Sequence, residues 1–393
     1  MKKERNYTID LFRFVFAFGF VFGHMAIILA RIPSVGAATT IYALDTLAVF
    51  ICISGFFMMR TFEKQNVKAV KEGIHPTAQA GKYLYSRILG LGPWFLFGNV
   101  TGFIGLCLYT KTPVSQWFDA FLNHLGEFFG LMLTGFNFGS NMHGLYGTTT
   151  AENMLINGPL WFISGLFISS YFLYWLLAAN KKLTLYVIIP FVSLLFYGSA
   201  YLNGLTMPLW HNFMSIGDFH INIAMIDMFC NLGIGCMMYE AVQYFSDKEF
   251  SKGFTVFLTI LQAFLIIFIP FRTLYPTNGP LNRFTFNWGP AYLLSLIFTF
   301  LLVLNRDYAT KFLNRPVFGK LGALSMYIYC IHYSVIVLFY CAFPQLPVVN
   351  KRAYMLGVLI ITLILSVIAE KVNPAINSWL SSSPWYKKET ENR

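Results

Sequence analysis

The stretch IDLFRFVFAFGFVFGHMAIILA, residues 9–30, is an apolar run long enough to cross a membrane, and it carries Asp10, Arg13 and His24. A helix turns about 100° per residue, so the eleven steps from Arg13 to His24 return to the same face about 16 Å further along the axis. An ionisable group inside a spanning helix costs about 2.5 kcal/mol or more. This face therefore predicts a polar cavity or a reaction centre within a membrane.

Composition predicts a protein that crosses the membrane many times. The chain is 56% hydrophobic and 18% aromatic with only 11% charged residues, and its mean hydropathy is +0.59. These values indicate an all-α polytopic bundle of about ten transmembrane helices. We expect one transmembrane domain over 1–372 and a short cytoplasmic tail over 373–393. The ten predicted spans lie near 9–30, 41–60, 83–109, 159–178, 183–202, 220–241, 254–271, 290–305, 320–343 and 353–370.

The distribution of basic residues predicts the orientation. Most of the 28 Lys and Arg residues fall on alternate inter-helix segments that include 1–8, 60–87 and 305–320. The positive-inside rule therefore places both termini in the cytoplasm of a multi-pass protein of the inner, or plasma, membrane. The same rule explains the net charge of +11, so no nucleic acid partner is expected. The six cysteines lie within predicted helices without metal-ligand or CxxC spacing, which predicts packing residues and no metal.

His24 is the leading catalytic candidate. Near neutral pH an imidazole can take a proton from a hydroxyl and return it later, although a hydrogen bond between helices is the alternative role. Arg13 could bind a phosphate or a thioester oxygen, or it could pair with Asp10 at i, i+3 spacing. Asp45, at a similar height in the second span, could orient the imidazole, or it could be an acid at a helix N-terminus.

The third span begins with a basic segment that contains Lys82, Tyr83 and Arg87. Glycine and proline follow at once, so this broken helix could receive an anionic cofactor from the cytoplasm. Snorkelling cations are the alternative. In the ninth span Tyr329 and His332 stand at i, i+3 on one face. They are candidates for substrate binding, with a structural hydrogen-bonded pair as the alternative.

The segment between the third and fourth spans predicts an outward-facing polar cleft. Residues 117–133 indicate a helix that lies on the surface or dips part of the way in. The following stretch, TGFNFGSNMHGLYGTTTAENMLINGP, residues 134–159, is rich in Gly, Asn and Thr. Such a loop could bind sugar hydroxyls or be an ordinary surface loop. Glu152, Asn153 and the neighbouring Trp161 are the candidate contacts for an acceptor.

These elements together resemble the membrane acyltransferase-3 family. An arginine, ten intervening residues and a histidine, here Arg13 and His24, form the family's signature. The similarity extends over nearly the whole chain. Its further motifs are Phe50-Ile51-Cys52-Ile53-Ser54-Gly55-Phe56, Arg87-Ile88, Leu160-Trp161-Phe162, Gly233 and Gly235, and Leu321-Gly322 through Ser325, Tyr329 and His332.

The resemblance implies ten spans, no metal, and transfer of an acyl group, usually acetyl, from cytoplasmic acyl-coenzyme A (acyl-CoA) to a hydroxyl of a glycan. By analogy His24 is the base or the acyl carrier, Arg13 its essential partner and Arg87 a contact for the coenzyme phosphates. The chain departs from the family at Leu84, Ala48 and Leu166, and the last stands where many members have a glutamate. These departures favour a branch that modifies polysaccharides or small sugars.

Two other functions remain open from the residues. A helical bundle with buried Asp, Arg and His could be a proton-coupled transporter of a sugar or an organic anion, although the two halves show no internal repeat. It could also be a non-catalytic subunit of a glycan export system. The expected partners of the enzyme are membrane lipid, an acyl-CoA and a glycan or small-sugar acceptor. The sequence leaves the oligomeric state open.

Overall fold

The computed structural model of the protein describes residues 5–30, 44–130, 156–202, 213–216, 219–274 and 288–382. Within these residues the chain is a bundle of long helices with one short hairpin. The α-helices are α1 (Tyr7–Ala30), α2 (Leu44–Lys71), α3 (Pro76–Tyr109), α4 (Trp117–Asn123), α5 (Leu125–Phe128), α6 (Trp161–Leu183), α7 (Ile189–Leu202), α8 (Ile223–Ser246), α9 (Lys252–Leu274), α10 (Trp288–Leu304), α11 (Tyr308–Leu313), α12 (Val317–Ala342), α13 (Leu346–Val349) and α14 (Lys351–Ser382). The antiparallel strands β1 (Phe213–Ile216) and β2 (Phe219–Asn222) form the hairpin.

The prediction of an all-α polytopic bundle is confirmed. Eight helical segments of the described chain are long and apolar enough to cross a membrane. One of them, Gly158–Ser199, has 42 residues, or about 63 Å if continuous, which is twice the thickness of the hydrocarbon. It contains two helices separated at Asn180, whose φ of −157° and ψ of 95° interrupt α6. The eight segments therefore contain nine helices, and the shorter apolar helix α10 is the tenth. Each of the ten predicted spans thus corresponds to a helix.

Several boundaries differ from the prediction. The expected inner loop near 61–82 is largely helical, because α2 continues to Lys71 and α3 already begins at Pro76. Gly73, with a φ of +64°, makes the turn between them, and the His75 side chain caps α3 by accepting from the Thr77 amide. The sixth span begins as helix only at Ile223, since residues 219–222 pair with β1.

Helix α1 runs through the middle of the bundle. Phe12 and Phe16 pack edge-on against Phe298 of α10, with ring centroids 5.0 and 6.1 Å apart. One turn further on, Phe20 packs against Tyr329 of α12 at 5.6 Å. The apolar sides of α1 therefore contact different helices, and the face that carries Arg13 and His24 lies between them.

Helices α2 and α8 approach so closely that only glycine fits at their crossing. A Cβ atom on Gly55 would lie 2.0 Å from the backbone oxygen of Leu232, and one on Gly235 would lie 2.0 Å from that of Cys52. Small residues at a helix crossing allow the backbones of membrane helices to meet. Cys52 is buried within this contact, which agrees with the prediction that the cysteines are packing residues.

The segment after α3 differs most from its prediction. The helix expected over 117–133 is broken at His124 into α4 and α5, and residues 131–133 lie outside the described chain. His124 and Glu127 are both buried, with His124 Nδ1 2.6 Å from Glu127 Oε1. The other carboxylate oxygen accepts from the Ile156 amide at 2.8 Å. The Glu127 carboxylate therefore joins α5 by a hydrogen bond to Ile156, which precedes α6.

Replacement of Gly235 by alanine should destabilise the bundle by about 1–3 kcal/mol, because the new methyl group meets backbone atoms that cannot rotate away. Gly90→Ala is the matched control, since Gly90 lies within α3 with nothing within 4 Å of its Cβ position. Thermal unfolding in detergent compares the two variants. Equal melting temperatures for Gly235→Ala and Gly90→Ala would contradict the proposed crossing.

Candidate active site

Asp10 binds Arg5 more closely than Arg13. Arg5 Nε donates to Asp10 Oδ2 at 2.8 Å, whereas Arg13 Nη1 lies 4.0 Å from Asp10 Oδ1. This bond favours the charged form of Arg5 and raises its pKa. The i, i+3 pairing of Asp10 with Arg13 is therefore present only as a long contact, and the Arg13 guanidinium remains directed into the space beside α1.

Two cavities meet at Arg13. We name the first the inner cavity; it measures about 230 Å³, and Arg13, Ser54, Arg87, Leu166, Ser325 and Tyr329 contribute to its wall. The second, the arginine cleft, measures about 820 Å³, and Arg5, Arg13, Arg60 and Arg306 line it. Because Arg13 and Phe57 line both, the two cavities are adjacent.

The inner cavity follows α1 from Arg13 to Phe20, a distance of about 10 Å along the helix axis. Most of its wall is aromatic or aliphatic, but two arginines line it. Arg87 Nε donates to the Tyr83 hydroxyl at 2.9 Å. The Tyr83 ring in turn stacks on Tyr174 with centroids 4.6 Å apart. The cavity thus offers positive charge at one end and an apolar passage beyond it.

His24 lies one turn beyond Phe20, and it is half-buried. Its Nδ1 atom is 2.8 Å from the Phe20 carbonyl oxygen and 3.0 Å from Nε2 of His332 on α12. The two ring centroids are 5.0 Å apart. The residues that sequence reasoning placed on separate helices, one as catalyst and one as substrate ligand, are therefore direct neighbours.

The surroundings of the two rings determine their tautomers. His332 Nδ1 lies within hydrogen-bond distance of the Ile328 and Tyr329 carbonyl oxygens, at 3.0 and 2.8 Å. Carbonyl oxygens only accept, so Nδ1 of His332 must carry the hydrogen and its Nε2 holds a lone pair. That lone pair needs a donor, and the only atom facing it among the described residues is Nδ1 of His24.

His24 is therefore protonated on Nδ1, and the Phe20 carbonyl demands the same tautomer. The remaining Nε2 of His24 has its lone pair free of any partner among the described residues. A neutral imidazole held in this way is oriented for proton abstraction, as in a catalytic triad where a second group fixes the tautomer of the base. Here an imidazole replaces the carboxylate of such triads.

Tyr329 forms the end of the inner cavity nearest the histidines. Its hydroxyl donates to the Pro159 carbonyl, and its ring contacts Phe20 at 5.6 Å and Phe162 at 5.4 Å. The predicted pairing of Tyr329 with His332 takes a different form, because the imidazole bonds to the Tyr329 backbone rather than to its hydroxyl.

The other predicted site residues lie in different places. Lys82 is exposed, and Tyr83 is buried behind Arg87, so neither is among the residues that line the two cavities. Trp161 begins α6 beside Phe162, which does line the inner cavity. Asp45 is the second residue of α2 and its side chain is not described. Glu152 and Asn153 lie outside the described residues.

Leu166 places an apolar side chain in the wall of the inner cavity. It lines the inner cavity together with Arg13 and Arg87, at the position where the resemblance implies a glutamate in many members. Within the described part of the wall the two arginines therefore face no carboxylate from α6. The cavity keeps a net positive charge that an anionic ligand can neutralise.

A second polar cluster is centred on Asp227. Its Oδ1 accepts from the Tyr197 hydroxyl and from Asn231 Nδ2, both at 3.0 Å. Tyr292 donates to Asn231 Oδ1 at 2.8 Å. The cluster joins α7, α8 and α10, and its hydrogen bonds account for a carboxylate in the bundle without assigning it chemistry.

The comparisons with known proteins give one match. The profile of a protein family described as an acyltransferase domain matches residues 6–371. No curated protein and no solved structure matches the chain. The match spans nearly all of the chain and includes Arg13, His24, Arg87 and His332, the residues of the site. The chain therefore belongs to the membrane acyltransferase-3 family and is a multi-pass membrane acyltransferase.

Proposed function

We propose that the protein transfers an acyl group, most simply acetyl, from acyl-CoA to a hydroxyl of a lipid-linked or exported glycan. The observation that carries this proposal is the His24 imidazole, whose Nε2 has no partner among the described residues and which follows, along α1, an apolar cavity that begins at two arginines. A long, thin thioester with an anionic head has the shape and charge that such a passage accommodates.

In the direct reaction the acceptor hydroxyl gives its proton to Nε2 of His24 while its oxygen attacks the thioester carbonyl. The tetrahedral intermediate then collapses with cleavage of the carbon–sulfur bond. The leaving thiolate takes the proton from the imidazolium, so the products are the ester and free coenzyme A thiol. His332 Nε2 accepts from Nδ1–H throughout, which holds the ring in place and supports its charged state.

A two-step route uses the same atoms. Nε2 of His24 attacks the thioester and the carbon–sulfur bond breaks, which gives an acyl-imidazolium and the coenzyme A thiolate. The acceptor hydroxyl then attacks the acyl carbon and gives its proton to the thiolate, and the carbon–nitrogen bond breaks to restore the neutral imidazole. Label from the acyl group would remain on His24 when no acceptor is supplied. This outcome distinguishes the two-step route from direct transfer.

Arg13 acts on the donor rather than on the oxyanion. It lies about 16 Å from His24 along α1, and because all side chains of a helix lean in the same direction, this separation also applies to the two side chains. The guanidinium is therefore placed to bind the anionic part or an amide of the thioester substrate. Arg87 lines the same cavity and would contact the donor beside it.

The direction of the cavities supports an inner-membrane protein with a cytoplasmic donor. The arginine cleft is lined by residues from 1–8, 60–87 and 305–320, which the charge distribution assigns to the cytoplasm. His24 lies towards the other end of α1, from which a glycan acceptor would approach. The charge distribution predicts that same outer side for Glu152 and Asn153, the proposed acceptor contacts.

Replacement of His24 by alanine should reduce acyl transfer by about 100-fold or more, because the base is removed. Purified protein in proteoliposomes is given acetyl-CoA with a radiolabelled acetyl group, and the label in the glycan fraction and the released thiol are measured. His75→Ala is the control, since this histidine is exposed at the start of α3. Full activity of His24→Ala, or solute flux without thiol release in the parent protein, would contradict the proposal.

Replacement of His332 by alanine should lower kcat by about 10-fold or more with little change in KM for acetyl-CoA, because His332 positions the base without touching the donor. His332→Gln supplies an amide oxygen that can accept from His24 Nδ1–H and should restore part of kcat. Steady-state kinetics in proteoliposomes measures both parameters. Equal losses in the two variants, or a change confined to KM, would overturn this role.

A further inference from the structure

The arginine cleft collects positive charge from four places in the chain. Arg5 precedes α1, Arg13 lies on α1, Arg60 on α2, and Arg306 follows α10. Asp10 is the acidic residue in its described wall, and it is bound to Arg5 at 2.8 Å. The cleft therefore retains a surplus of positive charge at the mouth of the inner cavity.

Of these four arginines, Arg60 is the one whose guanidinium is most available to a ligand. Its half-buried side chain makes no hydrogen bond or ion pair to another residue of the described chain. Glu63 on the same helix and Glu240 on α8 are both bound to Lys181, at 2.7 and 2.9 Å. A half-buried arginine without a carboxylate partner favours an anionic ligand.

Arg306 is a fixed cation in the same wall. Its Nη2 donates to the carbonyl oxygens of Phe245 and Ser246 at the end of α8, and its guanidinium carbon lies 5.8 Å from the Phe250 ring centroid. Carbonyl and ring contacts orient the guanidinium without neutralising it. Arg306 and Arg60 thus present charge to the cleft from different helices.

The two cavities differ in size and polarity in a way that matches one ligand. The arginine cleft is wide, at about 820 Å³, whereas the inner cavity measures about 230 Å³ and is mainly apolar. Because they join at Arg13 and Phe57, a single molecule with a bulky anionic head and a thin arm can occupy both. An acyl-CoA has that form, with a phosphorylated nucleotide at one end and a pantetheine arm that carries the thioester.

We propose that the arginine cleft binds the phosphates of the coenzyme A nucleotide, with Arg60 and Arg306 as contacts, while the pantetheine arm passes Arg13 into the inner cavity. This inference rests on the proposed function. It also changes the expected role of Arg87, which lines the inner cavity but not the described wall of the cleft. Arg87 then meets the arm, and the phosphates meet arginines that no sequence motif singled out.

The test compares two donors that differ only in the nucleotide. Acetyl-CoA carries the phosphates, whereas acetylpantetheine keeps the arm and the thioester without them. In proteoliposomes of neutral phosphatidylcholine, Arg60→Gln should raise KM for acetyl-CoA by about 10-fold or more, since a charge-assisted contact is lost. The same variant should turn over acetylpantetheine as the parent protein does.

Arg315→Gln is the matched control, because Arg315 follows α11, donates to the nearby Phe312 carbonyl and is not among the residues of the cleft wall. Arg60→Lys keeps the charge and should give an intermediate KM for acetyl-CoA. Melting temperatures of all three variants establish that they are folded. The folded Arg60→Lys variant keeps the comparison available if Arg60→Gln is unstable.

Three results would overturn the phosphate site. The first is an unchanged KM for acetyl-CoA in Arg60→Gln, and the second is an equal loss of activity towards both donors. The third is loss of bound phosphatidylglycerol, seen by native mass spectrometry, with unchanged kinetics, which would make the cleft a lipid-headgroup site. Failure of the parent protein to use either donor would instead refute the proposed function itself.

Discussion

The hydrogen bond between His24 and His332 is the interaction on which the proposed chemistry of this protein depends. A helix leaves no freedom to His332 Nδ1, which must donate to the carbonyl oxygens of its own preceding turn. The opposite nitrogen is thereby forced to accept, and His24 must supply the hydrogen. A backbone requirement on one helix thus sets the protonation pattern of a ring on another, and it leaves the lone pair of that ring on Nε2.

This arrangement requires α1 and α12 to lie close together. A Cβ atom on Gly322 would lie 2.4 Å from the Cβ atom of Asp10, so the two helices meet with almost no side chain between them. The contact lies near the start of α1, beside Arg13, and the histidine pair lies towards the other end. Helix α1 is thus held against α12 at both ends of the inner cavity, and the cavity opens along its exposed polar face.

Two buried carboxylates follow the same physical rule at other places in the bundle. In hydrocarbon an unsatisfied polar group costs several kcal/mol, so each must find a partner within the protein. Glu127 satisfies His124 and the Ile156 amide, and Asp227 satisfies a tyrosine and an asparagine. The arginines of the two cavities differ from these carboxylates, since within the described walls their charge exceeds that of the acids beside them. This excess distinguishes a ligand site from a structural ion pair.

The sequence by itself determined the features that depend on local periodicity and length. The ten spans follow from apolar runs, and the common face of Arg13 and His24 follows from the helical repeat, because neither depends on a neighbouring helix. The tertiary structure alone decided that His332 is the partner of His24, 308 residues apart in the chain, and that Arg60 and Arg306 share one cleft. Such contacts depend on which helices pack together, and the repeat within a single helix carries no information about its neighbours.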